Sequence, residues 1–254
     1  MIAEGIARQV LPLCRRFGND GHWYALTSTS LGGSGLSAAQ ISERLETAEL
    51  RRLVRDKICL PICFDADRAL DNAYVVVGGL SAAEESGWIG RVRARLTIPC
   101  GEFLLLGGAQ EPDFEAAMKN LKPRDPHYVN YCKFAVAPGE YVVDVYAYVG
   151  SSTVSLGWDG FGSLAVAKQS KHDLVAWWES SRPGQPCPAW LRSWLATGTV
   201  GNELGLAGHV IRLQQSDEEV PLPEVDADTG WCGVFQYRQP MLCPAGIPRL
   251  ASPQ

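Results

Sequence analysis

Leu96-Thr-Ile-Pro-Cys-Gly-Glu-Phe-Leu-Leu105 and Phe134-Ala-Val-Ala-Pro-Gly-Glu-Tyr-Val-Val143 repeat one device. Each is an alternating strand, a turn holding proline and glycine, an acidic residue, and a second strand led by an aromatic. Proline fixes φ and glycine accepts positive φ, so each unit reads as a β-hairpin. A weaker third copy is Met241-Leu-Cys-Pro-Ala-Gly-Ile-Pro-Arg-Leu250. The copies are irregularly spaced, which argues against a solenoid and for the corners of an antiparallel sandwich or partly open barrel.

Outward from these units the β pattern continues. His22–Ser30, Ile58–Phe64, Ala73–Val77, Trp88–Ile98, Tyr141–Val149, His209–Leu213 and Cys232–Tyr237 have the aromatic and β-branched content of strands. In Tyr141–Val149 the residues Val143, Val145, Ala147 and Val149 alternate with Tyr146 and Tyr148, and Asp144 falls on the tyrosine side. Ser37 is placed to cap one helix over residues 38–55, with Ile41, Leu45, Leu50, Leu53 and Val54 as its buried stripe. Ser81 opens a short helical turn with Glu84 and Glu85 near its start, and Glu111–Asn120 predicts another helix. The fold class expected is therefore α+β, mainly antiparallel sheet with short helices on its edges.

After Gly150 the composition changes. Trp158, Trp177, Trp178, Trp190 and Trp194 crowd a stretch that reads as two short helices, 172–181 and 188–196, divided by prolines. This suggests a β-rich unit over residues 1–154 and a tryptophan-rich insert with C-terminal strands over residues 155–254. A single interleaved domain is the other arrangement, since the last strands could pair back with the first half.

The chain carries 46% hydrophobic and 20% charged residues, which places it among packed globular proteins and away from disorder. Met1–Phe17 shows neither a basic region before its apolar stretch nor a cleavage site, and no window is apolar enough to span a bilayer. The eight cysteines then read as mostly buried thiols in a cytoplasmic protein that has no membrane partner. A net charge of −5 disfavours a nucleic-acid surface and permits a basic partner.

The motifs that could carry chemistry are incomplete. Cys59-Leu-Pro-Ile-Cys63 lacks the second close pair of a structural zinc site. Asp65–Asp71 lacks the glycine and closing glutamate of a calcium loop, and Gly32-Gly33-Ser34-Gly35 lacks the lysine of a phosphate loop. No metal and no cofactor is expected. His22 with Asp20, or His127 with Asp125, could form an acid–base pair if the fold supplied a nucleophile. Of Trp177 and Trp178, one should be buried and the other half-exposed, because neighbours on a helix face different ways.

Asp217, Glu218, Glu219, Glu224, Asp226 and Asp228 form the strongest charge feature, within a stretch that holds no Lys or Arg. These six negatives exceed the chain's whole net charge of −5. Pro221 and Pro223 keep the stretch extended and loop-like. It reads as a solvated acidic loop or, functionally, as an acidic face that steers a basic partner.

Trp88-Ile-Gly90, then Leu96 through Gly108, then Val136 through Tyr148, resemble a strand–Pro/Gly–strand pattern of bacterial toxin-immunity and nuclease-inhibitor proteins. The resemblance covers residues 75–150, with an echo in the C-terminal repeat; residues 155–200 depart from the pattern. It implies a non-enzymatic cytoplasmic protein that binds and neutralises a cognate bacterial toxin, such as a nuclease delivered by a competitor or sister cell, and it carries over no catalytic residue. The acidic loop adds the expectation that the toxin has a basic surface, as a DNase would. Two other readings follow from the residues alone. One is a small-molecule hydrolase or transferase with its pocket between the sheet and the tryptophan-rich insert. The other is a carbohydrate-binding module, which needs coplanar exposed tryptophans.

Overall fold

In the computed structural model, residues 7–64, 66–121, 129–151, 153–154, 173–189, 191–192, 205–227 and 229–250 are described. The strands are β1 (Gln9–Pro12), β2 (Trp23–Ser28), β3 (Cys59–Cys63), β4 (Tyr74–Val77), β5 (Gly90–Ile98), β6 (Glu102–Gly107), β7 (Tyr131–Ala135), β8 (Gly139–Ala147), β9 (His209–Gln215) and β10 (Gln236–Tyr237). They form two sheets, ordered β1-β4-β9-β8-β5-β10 and β3-β2-β6-β7, and every named pair except β4–β9 is antiparallel. The sheets enclose one apolar core, which makes the fold an α+β sandwich with no closed barrel.

Side-chain alternation decides which face looks inward. Val92, Ala94, Leu96 and Ile98 of β5 join Tyr141, Val143, Val145 and Ala147 of β8 between the sheets. The four-stranded sheet is different, because Tyr24–Ser28, Cys59–Ile62 and Phe103–Gly107 are buried without alternation. Short helices cover its second side: α1 (Ala38–Leu45), α2 (Leu50–Arg55) and α4 (Glu111–Met118), while α3 (Ala82–Gly87) precedes β5. Of these, α2 packs on β3, α4 on β6, and α1 on α4. A sheet covered on both sides needs continuous apolar strands.

The first two Pro/Gly units are corners of the sandwich, as their spacing suggested, but they are not hairpins. β5 belongs to the six-stranded sheet and β6 to the other, so Pro99-Cys100-Gly101 carries the chain between sheets. The second unit does the reverse, from β7 to β8. The corners lie side by side, with the Val136 amide donating to the Gly101 carbonyl at 2.9 Å and the Tyr141 hydroxyl to the Ala137 carbonyl at 2.6 Å. Gly101 has φ +71°, and a Cβ there would stand 3.0 Å from the Val136 oxygen. The third copy is neither hairpin nor corner. Its segment lies on residues 205–207 through a Leu206–Pro248 bridge, and Ile247 covers Tyr146, Tyr148 and Val210 on the outer face.

The single helix expected over 38–55 is two. Ser37 and Gln40 form a capping box at the start of α1, as a serine in that position should. Thr47 ends it: its hydroxyl donates to the Arg44 carbonyl at 3.2 Å and accepts from the Glu49 amide at 3.3 Å, a local turn that competes with the helix ladder. Ser81 and Glu84 form the same box on α3. The strand expected over Cys232–Tyr237 shrinks to the two residues of β10.

Residues beyond 205 complete the six-stranded sheet, with β9 between β4 and β8 and β10 at the edge beside β5. The helix α5 (Asp173–Ser181) places Trp178 at 4% exposure and Trp177 half-buried, as the helical spacing implied. Most of the second expected helix, and Trp158, Trp190 and Trp194, lie outside the described residues. Along the far side, the chain leaves β1 at one sheet's edge and runs to β7 at the other's, where Phe17 bridges Val129. β3, an edge strand, carries Pro61 opposite Ala25 and is covered by the backbone of Cys232 and Gly233.

Gly101→Ala should destabilise the fold by about 2 kcal/mol in urea denaturation, combining backbone strain with the collision at Val136. Gly35→Ala, at φ +74° with open space around its Cβ, should lose only about 1 kcal/mol. Equal losses would remove the corner-to-corner contact from the account.

Candidate partner-binding surface

β5 turns Arg91, Arg93 and Arg95 to the outer face of the six-stranded sheet, because Val92, Ala94 and Leu96 occupy the inner one. Register then sets Arg93 beside Asp144 on β8 and Asp144 beside Arg212 on β9. Asp144 is fully buried, accepting from Arg93 Nε at 2.6 Å and from Arg212 Nη2 at 2.5 Å. One carboxylate between two guanidinia leaves a positive excess on this row.

The acidic loop answers that excess. It leaves β9 at Ser216, whose amide donates to the Glu140 carbonyl, and returns at Asp226, whose amide donates to the Trp231 carbonyl. Glu219 accepts from Arg95 Nη1 at 2.6 Å, Glu218 stands 3.6 Å from Arg93 Nη1, and Glu140 pairs with both Arg95 and Lys57. Two of the six acidic residues are therefore compensated, which corrects the expectation of an unbalanced run. The sequence signal for these partners was available in Arg91-Val-Arg93-Ala-Arg95, where alternation puts three cations on one face.

Pairing does not bury the loop. The Glu219 side chain remains 85% exposed, Asp217 and Glu224 are exposed, and Asp226 caps its own turn by accepting from the Thr229 amide at 2.7 Å. Asp228 lies outside the described residues. At the crest Leu222 is half exposed between Pro221 and Pro223. The loop thus presents an apolar side chain flanked by carboxylates, on a base pinned by arginines.

The other candidates resolve differently. His22 stands 3.2 Å from Asp67 at the surface, while Asp20 pairs with Arg68. His127, Asp125 and His172 lie outside the described residues. His209 is a satisfied core residue, its Nδ1 2.9 Å from the Ala69 carbonyl and its Nε2 3.0 Å from the buried Thr153 hydroxyl. Burial pulls its pKa down to about 4. Cys59 is fully buried, and burial pushes its pKa up; Cys63 is half-buried. Among the described residues no group of three or more His, Cys, Asp or Glu is arranged to hold a metal. In the glycine-rich turn, the Gly32, Gly33 and Ser34 amides are taken by Ser28, Ser30 and Leu31, so they do not form an anion nest. Trp88, Trp178 and Trp231 are buried, and Arg238 stacks 3.4 Å over the Trp88 ring. Among the described residues no helix is long and apolar enough to cross a membrane.

Asp144→Asn should lose about 3 kcal/mol by urea denaturation, because two guanidinia lose their counter-charge in a partly buried row. Replacing Arg93, Asp144 and Arg212 together by Met, Leu and Met should recover most of that loss. A second outcome concerns pH. His209 is neutral in the fold below the pH at which the unfolded chain protonates it, so its contribution is complete above about pH 6.5 and is lost as pH falls toward 4, on the order of 3 kcal/mol. Asp71, pushed up to about 6 by burial, acts in the opposite sense and adds stability as pH falls from 6 toward 3.8. His209→Asn should flatten the acid limb of the stability curve; an unchanged limb would show that this imidazole is not the group responsible.

No family model matches the chain, and no curated protein matches it. Two solved structures align with most of the chain at low similarity. The product described as crocagin biosynthetic gene J is 10% identical, covering 83% of this chain and 99% of its own with a TM-score of 0.37. ComJ from Bacillus subtilis, an inhibitor of the DNA-degrading activity of NucA, is 6% identical, covering 84% and 98% with a TM-score of 0.31. At these identities and TM-scores neither match bears on function.

Proposed function

We propose that this chain is a non-enzymatic inhibitor of the immunity type, acting in the cytoplasm by binding a basic protein toxin, a DNA-degrading nuclease, through the loop of Asp217, Glu218, Glu219, Glu224, Asp226 and Asp228. The observation that carries this reading is the arrangement of the loop. Leu222 stands half exposed among exposed carboxylates, on a base held by Arg93 and Arg95. A nuclease reserves a cationic groove for phosphate, and a carboxylate row can occupy that groove in place of DNA. Leu222 supplies the apolar contact that a purely charged surface lacks. The arginine clamps hold the loop in advance, which lowers the ordering cost of association.

The test is whether the chain inhibits DNA cleavage by basic nucleases, with association kinetics measured on any nuclease that it inhibits. In Asp217→Lys/Glu224→Lys, association should slow about tenfold and lose most of its salt dependence. Leu222→Ala should instead raise the dissociation rate. Unchanged kinetics in both variants would reject the loop as the contact surface.

A further inference from the structure

Cys14 and Cys132 are far apart in sequence and meet in the fold. Cys14 follows β1, on the segment that runs from one sheet's edge to the other's, and Cys132 is the second residue of β7. Their sulfurs are 2.9 Å apart, within about 1 Å of a disulfide bond length. The Cys14 amide also donates to Cys132 Sγ at 3.2 Å, which fixes the approach. The two thiols differ in access: Cys14 is exposed and Cys132 is buried at 3%. The surrounding backbone is held on both sides, with Gly18 N donating to the Val129 carbonyl and Val129 N to the Arg16 carbonyl.

We propose that Cys14 and Cys132 form a thiol–disulfide modification site, which takes a low-molecular-weight disulfide such as oxidised glutathione and closes to an intramolecular bond. Cys14 is the attacking sulfur and Cys132 the resolving one. In the first step the Cys14 thiolate attacks one sulfur of oxidised glutathione; a Cys14–glutathione disulfide forms and one glutathione thiolate leaves. In the second, Cys132 gives its proton to solvent and attacks Cys14 Sγ, forming the Cys14–Cys132 bond and expelling the second glutathione thiolate. The protein loses two electrons and two protons, and the small disulfide is reduced to two thiols.

The electrostatics support these roles. The hydrogen bond from Cys132 lowers the Cys14 pKa to about 7, against the opposing effect of burial, so much of it is thiolate at neutral pH. The same hydrogen bond, with burial, holds Cys132 as the thiol. Cys100 provides an internal comparison. It too is exposed with a pKa of about 7, burial being outweighed by its hydrogen bonds with Ser30, Thr29 and the backbone of Glu102, and those contacts include no sulfur. Closing the bond would tie the edge of one sheet to the edge of the other.

The experiment treats the full chain with oxidised glutathione near neutral pH and follows intact mass and non-reducing peptide maps. A Cys14–Cys132 linked peptide should form without a lasting adduct on Cys14, while Cys100 should retain glutathione. In Cys132→Ser the adduct should accumulate on Cys14. A lasting Cys14 adduct in the unaltered protein, or an unreacted Cys14 beside a modified Cys100, overturns the proposal. The peptide map of the unaltered chain decides the matter even if the variant fails to fold.

Discussion

The hydrogen bond from the Val136 amide to the Gly101 carbonyl joins the two places where the chain leaves one sheet for the other. With the corners locked together, β5 must lie beside β8 in one layer and β6 beside β7 in the other. Proline limits the backbone at each corner, and glycine allows the positive φ that Gly101 adopts. The apolar sides of four strands then face one another across the interior. A change in either corner would move both layers, because each corner feeds both.

Register carries that constraint to the surface. A slip of one residue between β5 and β8 would bring Val92 and Ala94 to the outer face and send Arg93 into the core. In the observed register Arg93, Asp144 and Arg212 form one row, and the buried carboxylate opposes any other pairing. The remaining arginine charge fixes where the loop after β9 can settle. Thus the placement of the acidic crest descends from two turns far from it in sequence.

Much of the sandwich was legible before the structure, for identifiable reasons. Alternation marked the inner face of β8 and set Asp144 apart from it, and the Ser37 and Ser81 caps began helices where they stood. The reading failed where pairing is non-local. Proline and glycine announce that the chain turns, but they do not say whether the next strand joins the same sheet, so a hairpin and a corner between sheets look alike in sequence. Thr47 broke a helix whose apolar stripe continued beyond it, since stripes record burial and not backbone continuity. The acidic loop is visible as charge; its arginine clamps show only as an alternation in β5, with Arg95 lying 124 positions before Glu219 and no local sign of the loop they meet. The Cys14–Cys132 contact left no local trace at all, since 118 positions separate its members.

The cover on β3 has a consequence for the behaviour of many molecules together. An edge strand offers unpaired amides and carbonyls to any neighbour that can lie alongside it. Pro61 removes one donor from this edge, and the Cys63 amide is already committed to the Cys232 carbonyl. Gly233 can press so near because it has no side chain; a Cβ there would fall 2.2 Å from the Cys63 oxygen. A bulkier residue would lift that cover and leave a short apolar ribbon open to recruitment by other copies, turning a discrete particle into a seed for ordered aggregates.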